Sequence, residues 1–202
     1  SVVGLDPNRG MLTVAGRRAP AIEWREGAAE ALPFPDGSFD AVVSQFGLMF
    51  FTDRHRAVRE MVRVLRPGGR LVVAVWDELD HAPAYAAEVA LLERMAGSAA
   101  ADALRAPFVL GAPDALVALF DGAGVQSVAL ATHRGRARFP SVRAMVEGDL
   151  RGWLPLMGVL LTEAQITAIL DEADRTLAAY VGADGRMVFE APAHIVTTRR
   201  VA

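Results

Sequence analysis

Cysteine and lysine are both missing from the 202-residue sequence. Without a thiol there is no disulfide, no thiolate nucleophile and no Cys-ligated metal. Without lysine there is no Schiff-base chemistry, no phosphate-loop lysine and no Tyr/Lys dehydrogenase pair. All 21 basic residues are arginines. Long apolar runs are lacking too, and none approaches a membrane span. No excess of one charge stands out: a net charge of -3 with scattered signs gives no basis for a nucleic-acid partner. The densest basic spot, Arg134, Arg136 and Arg138, reads as a solvated strand face. No signal peptide is recognisable, so the expected compartment is the cytoplasm. The His, Asp and Glu spacings do not form a metal set, and there is no serine nucleophile elbow.

What is present is a βα alternation. Val2 to Leu5 reads as a strand ending on Asp6, broken by Pro7, with Asn8 placed to cap a helix that carries Met11, Leu12 and Ala15. A second short strand is expected over residues 22–25. Residues 41–44 form a continuous apolar run, as in a strand covered on both faces. Thr52 or Asp53 caps the next helix, where Val58, Met61, Val62 and Leu65 follow helical spacing until Arg66-Pro67-Gly68-Gly69 stops it. Residues 70–76 read as a buried strand. The order is that of a parallel α/β sheet. Helices are expected over 78–110, 114–123 and 141–181, the last containing a capping box from Thr162 to Gln165 and a stripe of Ile166, Ile169, Leu170, Ala173 and Leu177. Strand character returns at 125–132, and a last strand over 187–199 is interrupted by Pro192.

Two features carry chemistry. Asp6, at the tip of a parallel strand, can accept hydrogen bonds from both hydroxyls of a ribose. The stretch EGAAEALPFPDGSFD (26–40) is a stiffened loop: Pro33 and Pro35 fix φ, Asp36-Gly37 supplies a turn and Phe39 an anchor. Preorganisation of this kind lowers the entropy lost when a ligand binds.

These segments, VVGLDPNRGML (2–12), EGAAEALPFPDGSFDAVVSQFGLMFF (26–51) and AVREMVRVLRPGGRLVVAVW (57–76), resemble the class I S-adenosylmethionine-dependent methyltransferases. The similarity is greatest to the small-molecule group of the ubiquinone/menaquinone-biosynthesis type. The resemblance implies a Rossmann-like α/β fold, mostly parallel with an antiparallel last strand. It implies one domain over 1–202 with helical substrate caps near 78–110 and 141–181, and S-adenosylmethionine as cofactor. It assigns Asp6 to the ribose hydroxyls, with Pro7 beside it, Met11 to the adenine face, Ala28 and Ala29 to the adenine edge, and Gln45 and Phe46 to the methionyl end.

The family often has an acidic residue where Ala28 stands. Its first strand and glycine-rich loop would precede Val2, so the chain is expected to be part of a longer one. The acceptor is expected to be small and partly apolar, with Met49, Tyr85, Trp153 and Met157 as candidate pocket residues and His81 as candidate base; no metal is expected, and a homodimer stays open. Two other functions compete: a noncatalytic or regulatory domain that keeps the fold, and a nicotinamide-dependent oxidoreductase, against which the missing lysine counts.

Overall fold

The structure, a computed structural model, describes residues 1–125 and 127–201. The order begins β1 (Val3–Asp6), α1 (Arg9–Arg18), β2 (Glu23–Glu26), β3 (Phe39–Gln45), α2 (Arg54–Arg63) and β4 (Leu65–Trp76). Then come α3 (Pro83–Ala96), α4 (Ser98–Arg105), α5 (Pro113–Gly122), β5 (Ala129–His133) and β6 (Arg136–Phe139). Next are α6 (Val142–Gly148), a π-helical turn (Asp149–Trp153) and α7 (Leu154–Leu156). The chain closes with α8 (Glu163–Thr176), β7 (Met187–Glu190) and β8 (Ala193–Arg199). Two compact units divide it: unit 1 holds residues 1–74, 114–130 and 196–202, and unit 2 holds 75–113 and 131–195.

In unit 1, β1 pairs β2 in parallel, Val3 opposite Glu23 and Asp6 opposite Glu26. Gly4 faces Trp24 across this pair, and a Cβ there would lie 2.1 Å from the indole, so the strand needs glycine at that position. β3 pairs β4 in parallel, within a sheet ordered β3-β4-β8-β5. Backbone bonds from Gly68 to Arg200 and from Arg200 to Gly69 set β8 antiparallel to β4 there. This is the mostly parallel sheet with an antiparallel last strand that the family resemblance implies. The core of unit 1 includes Leu48, Val58, Met61, Leu71, Leu116 and Phe120, all buried.

Four expectations need correction. β3 is not covered on both faces: Ala41, Val43 and Gln45 share an exposed face, and Val43 is 67% exposed. α2 stops at Arg63, and Leu65 already belongs to β4, pairing with Phe39. The register then shifts, so that Ala41 faces Arg70 and the Arg66–Gly69 stretch bulges from the strand, with Gly68 at φ +77°. Residues 187–199 form two strands rather than one, because β7 pairs β6 antiparallel while β8 joins the larger sheet. Of the strand expected over 125–132, Gln126 lies outside the described residues, and the strand that forms is β5, from 129.

Unit 2 is helical. Its core joins α3, α4, α6, α8 and the β6–β7 pair through Val89, Leu92, Leu104, Met145, Leu150 and Ile169. The capping box at Thr162 and Gln165 is formed, and the stripe from Ile166 to Leu177 is buried. Each cap residue supplies an acceptor to a backbone N–H that would otherwise lack one. No single helix among the described residues is long and apolar enough to cross a membrane.

Candidate functional site

Asp6 ends β1, and its Oδ1 accepts the Asn8 N–H at 2.7 Å. Asn8 in turn caps α1 by accepting the Met11 N–H at 3.1 Å. The carboxylate is thus held at the strand tip, where the chain turns into the helix. Pro7 is exposed beside it, and Met11 is 57% exposed, large for an apolar side chain in the first turn of α1.

The loop after β2 is braced from α2. Glu60 Oε2 accepts the Leu32 N–H at 2.9 Å. Arg63 donates to the Leu32 carbonyl at 3.0 Å, the Phe34 carbonyl at 2.9 Å and Asp36 at 2.6 Å. The same guanidinium bonds Glu60 at 2.7 Å and 2.8 Å. The hydrogen bond from Arg63, helped by the Leu32 N–H and opposed by burial, holds the Glu60 carboxyl below its ordinary range. Gly37, at φ +64°, donates to the Arg63 carbonyl at 3.0 Å, and the Phe34 and Phe39 rings pack edge to face at 4.9 Å. Arg25 lies over the Phe34 ring at 5.2 Å. Upstream, Ala29 opens a short 3₁₀ turn after Ala28, and Glu30 accepts the Thr52 N–H at 2.8 Å. Pro33 and Pro35 were legible as stiffeners, but the Glu60–Arg63 clamp was not, because it joins residues up to 31 positions apart.

At the tip of β3 Gln45 is exposed, and Phe46 turns into the left-handed region at φ +53° while its N–H bonds the Ala74 carbonyl at 2.9 Å. A bulky residue there is strained, and such strain gathers at ligand sites. Leu48 and Met49 are buried in the 3₁₀ turn that follows, at 0% and 3% exposure, and only Phe50 of that turn stands out at 42%. Met49 is therefore a core side chain of unit 1.

Unit 2 holds the other candidates. Asp77, buried just past β4, bonds His194 Nε2 through Oδ1 at 3.0 Å and His81 Nδ1 through Oδ2 at 3.1 Å. His194 is buried; its Nε2 also lies 2.7 Å from the Gly111 carbonyl, and its Nδ1 2.9 Å from Thr132 Oγ1. A carbonyl only accepts, so Nε2 carries a proton. Burial pushes the Asp77 carboxyl up, but the hydrogen bonds from His81 and the Glu78 N–H outweigh it and hold it below its usual range. His81 is exposed and raised, mainly by its bond to Asp77. Asp77, Glu78 and His81 bring ligand-type atoms within 4.8 Å of one another, a grouping not seen in the sequence spacing. An open pocket of about 280 Å³ adjoins them, lined by Glu78, Leu79, Asp80, Phe108, Val109 and Ala112. Tyr85 packs on Phe108 at 5.6 Å and on Phe189 at 5.4 Å, and Trp153 Nε1 donates to the Ala103 carbonyl at 2.8 Å. Met157 is 38% exposed.

Residues 1–73 match the family described as methyltransferase domain. The fold is a methyltransferase fold. A YcgJ protein from Bacillus subtilis aligns with TM-score 0.60 at 19% identity, over 99% of this chain and 82% of its own. A phosphoethanolamine N-methyltransferase 2 from Haemonchus contortus, solved with S-adenosylhomocysteine, aligns with TM-score 0.55 at 13% identity, over 100% of this chain and 43% of its own. In sequence, demethylmenaquinone methyltransferase of Renibacterium salmoninarum is 49% identical over 82 residues, which is 41% of this chain and 35% of the relative. The matched stretch thus spans about a third of the relative's length. Within the methyltransferase fold, residues 1–73 hold every candidate cofactor residue, from Asp6 to Phe46.

Proposed function

We propose that this chain serves S-adenosylmethionine-dependent methyl transfer to a small, partly apolar acceptor. The observation that carries the reading is the Asp6 strand tip set in a segment of methyltransferase-domain sequence beside a clamped Leu32–Phe39 loop. The residues present fit the cofactor. Asp6 has Oδ2 left over from its Asn8 bond to accept ribose hydroxyls, and Met11 offers an exposed apolar face to a purine. Gly27 lets the loop start close to β1, since a Cβ there would lie 3.0 Å from the Leu5 side chain. Ala28 and Ala29 present no bulk to an adenine edge, and Gln45 with Phe46 is assigned to the methionyl end.

When bound, S-adenosylmethionine supplies an electrophilic methyl group, so the chain has mainly to bind, orient and exclude water. For the acceptor we assign His81 as the group that takes up a released proton: Asp77 holds Nδ1 and leaves Nε2 outward. Tyr85, Trp153 and Met157 are assigned to the acceptor side of unit 2, and Met49 to packing beneath the tip of β3. Similarity to demethylmenaquinone methyltransferases favours a hydroxylated aromatic ring of the quinol kind as acceptor.

Calorimetric titration of the full-length protein with S-adenosylhomocysteine and with NAD tests this. Binding of the former alone, weakened about tenfold or more by Asp6→Ala, is expected. Binding of neither would leave a noncatalytic domain with this fold as the better account.

A further inference from the structure

The turn after β4 concentrates carboxylates that no arginine offsets. Asp77, Glu78 and Asp80 fall within four residues, and among the described residues none of them pairs with an arginine. Glu78 and Asp80 are exposed. The surface carboxylates on the helices of the same unit are arranged otherwise. Glu93 and Asp102 share Arg105, Glu147 and Glu163 share Arg151, and Asp171 and Asp174 share Arg143. A group of like charges left without a counter-charge attracts cations.

The geometry of the turn narrows what that cation would be. Asp77 is 6% exposed, and its two carboxylate oxygens are used differently. Oδ1 accepts the Glu78 N–H at 2.7 Å and the His194 Nε2–H at 3.0 Å, so its lone pairs are taken from within the protein. Oδ2 is left with His81 Nδ1 alone, at 3.1 Å, and that imidazole is exposed. The backbone fixes the arrangement. The Asp77 N–H bonds the Pro192 carbonyl at 3.1 Å, and the His81 N–H bonds the Glu78 carbonyl at 2.9 Å, closing the 3₁₀ turn Leu79–His81. One ligand atom from each of Asp77, Glu78 and His81 thereby lies within 4.8 Å of the others. Two ligands of a tetrahedral zinc-type ion, each about 2.1 Å from it, stand about 3.4 Å apart. The 3.1 Å between Oδ2 and Nδ1 is close to such an edge.

We propose that Asp77, Glu78 and His81 form a binding site for a divalent cation of the zinc type. One imidazole nitrogen with two carboxylates suits zinc or a neighbouring transition ion, whereas calcium and magnesium take oxygen ligands. His194 supplies the outer bond that orients the buried ligand, as the partners of metal-bound carboxylates do. Three protein ligands leave a coordination position open, and the pocket of about 280 Å³ lined by Glu78 and Asp80 gives a water or a ligand room to fill it. On loading, the cation takes the place of the Nδ1 hydrogen. A neutral ring moves that hydrogen to Nε2, and a charged ring loses it to solvent. Either way Nε2 carries a hydrogen. On the function proposed above, the loaded protein therefore lacks its proton acceptor at His81, and the cation acts as an inhibitor.

Calorimetric titration of the full-length protein, first stripped with a chelator, with zinc chloride tests the site. About one equivalent should bind. His81→Ala and Glu78→Gln should each weaken binding about tenfold or more. Both side chains are exposed, so neither change opens the core. His133→Ala, which removes an exposed histidine outside the group, should leave the affinity unchanged. Cobalt in place of zinc should give a visible absorption band that His81→Ala removes. No zinc bound by the wild type, or an affinity kept in both His81→Ala and Glu78→Gln, overturns the proposal; so does a loss confined to His133→Ala. None of these readings involves methyl transfer. Failure of S-adenosylhomocysteine to bind would thus count against the proposed function alone, and failure of zinc to bind against the cation site alone.

Discussion

Glu60 and Arg63, one turn apart on α2, grip the same loop through both of its backbone polarities: Glu60 accepts the Leu32 N–H, and Arg63 donates to the Leu32 and Phe34 carbonyls. Their bonds to each other fix both side chains before the loop is reached. The stiffness of LPFPDGSFD thus has two sources, prolines within the loop and an ion pair beneath it.

Arg63→Ala should free the loop and lower stability by about 1–2 kcal/mol, a figure kept small because the side chain is 30% exposed. Arg63→Lys should recover little of this, since an ammonium cannot serve two carbonyls and two carboxylates in a planar fork. Urea unfolding of the three proteins measures it. Glu60 has a depressed pKa, so its contribution is present above the ordinary carboxylate range and is lost as pH falls through the lowered value. The gap between wild type and Arg63→Ala should therefore shrink in acid.

Gly111 allows a close approach of backbones. A Cβ on it would lie 2.4 Å from the Glu78 nitrogen and 2.5 Å from the Asp77 carbonyl carbon. Its own carbonyl meets His194 Nε2. Gly111→Ala should push the 77–78 backbone away, strand the buried His194 and cost about 2–4 kcal/mol. Thermal unfolding would show the loss. A stability equal to wild type would mean that the 111 segment can shift without disturbing the imidazole.

Asp77 sets the basicity of His81. The bond from Nδ1 to Oδ2 raises the histidine, with smaller help from Glu78 and Asp80. Asp77→Asn should lower the His81 pKa toward the unperturbed value, about 6.5. A proton–nitrogen correlation titration reads it directly. The sign for stability follows: a raised histidine stabilises the fold below its unfolded pKa, and the gain is lost as pH rises through the folded value. His81 is too exposed for that gain to be large.

How far the sequence speaks depends on the range of the interaction that decides each feature. Asn8 and Thr162 were readable as caps, and Asp53 as one of two candidates beside Thr52, because a cap acts within three residues. The stripe on α8 was readable because its period is local. The exposed face of β3 was not, since Ala41, Val42 and Val43 look the same whether or not something lies over them. The split of 187–199 into strands of two sheets turns on β6 as partner, about 50 positions upstream, and the arginines of β6 had read only as a charged face. In the candidate site, Asp6 and the proline loop were legible from local chemistry. The bond from His194 to Asp77, the residue that holds His81, was not, because 117 positions separate two residues whose atoms lie 3.0 Å apart.

Phe46 separates backbone strain from side-chain use. It sits at φ +53°, a region that a bulky residue enters at a cost and glycine enters freely. In an ordinary strand, replacing alanine by glycine lowers stability; at this position the order should reverse. Phe46→Gly should be about 1 kcal/mol more stable than Phe46→Ala, because both variants lose the ring and only glycine sheds the strain. Urea midpoints give the comparison. If the ring also lies against the methionyl end of the cofactor, the two variants should lose affinity for S-adenosylhomocysteine to a similar degree despite their different stabilities. Equal stabilities would show that the left-handed turn relaxes once the ring is gone. In that case the strain belongs to the phenyl group and its neighbours rather than to the path of the chain out of β3.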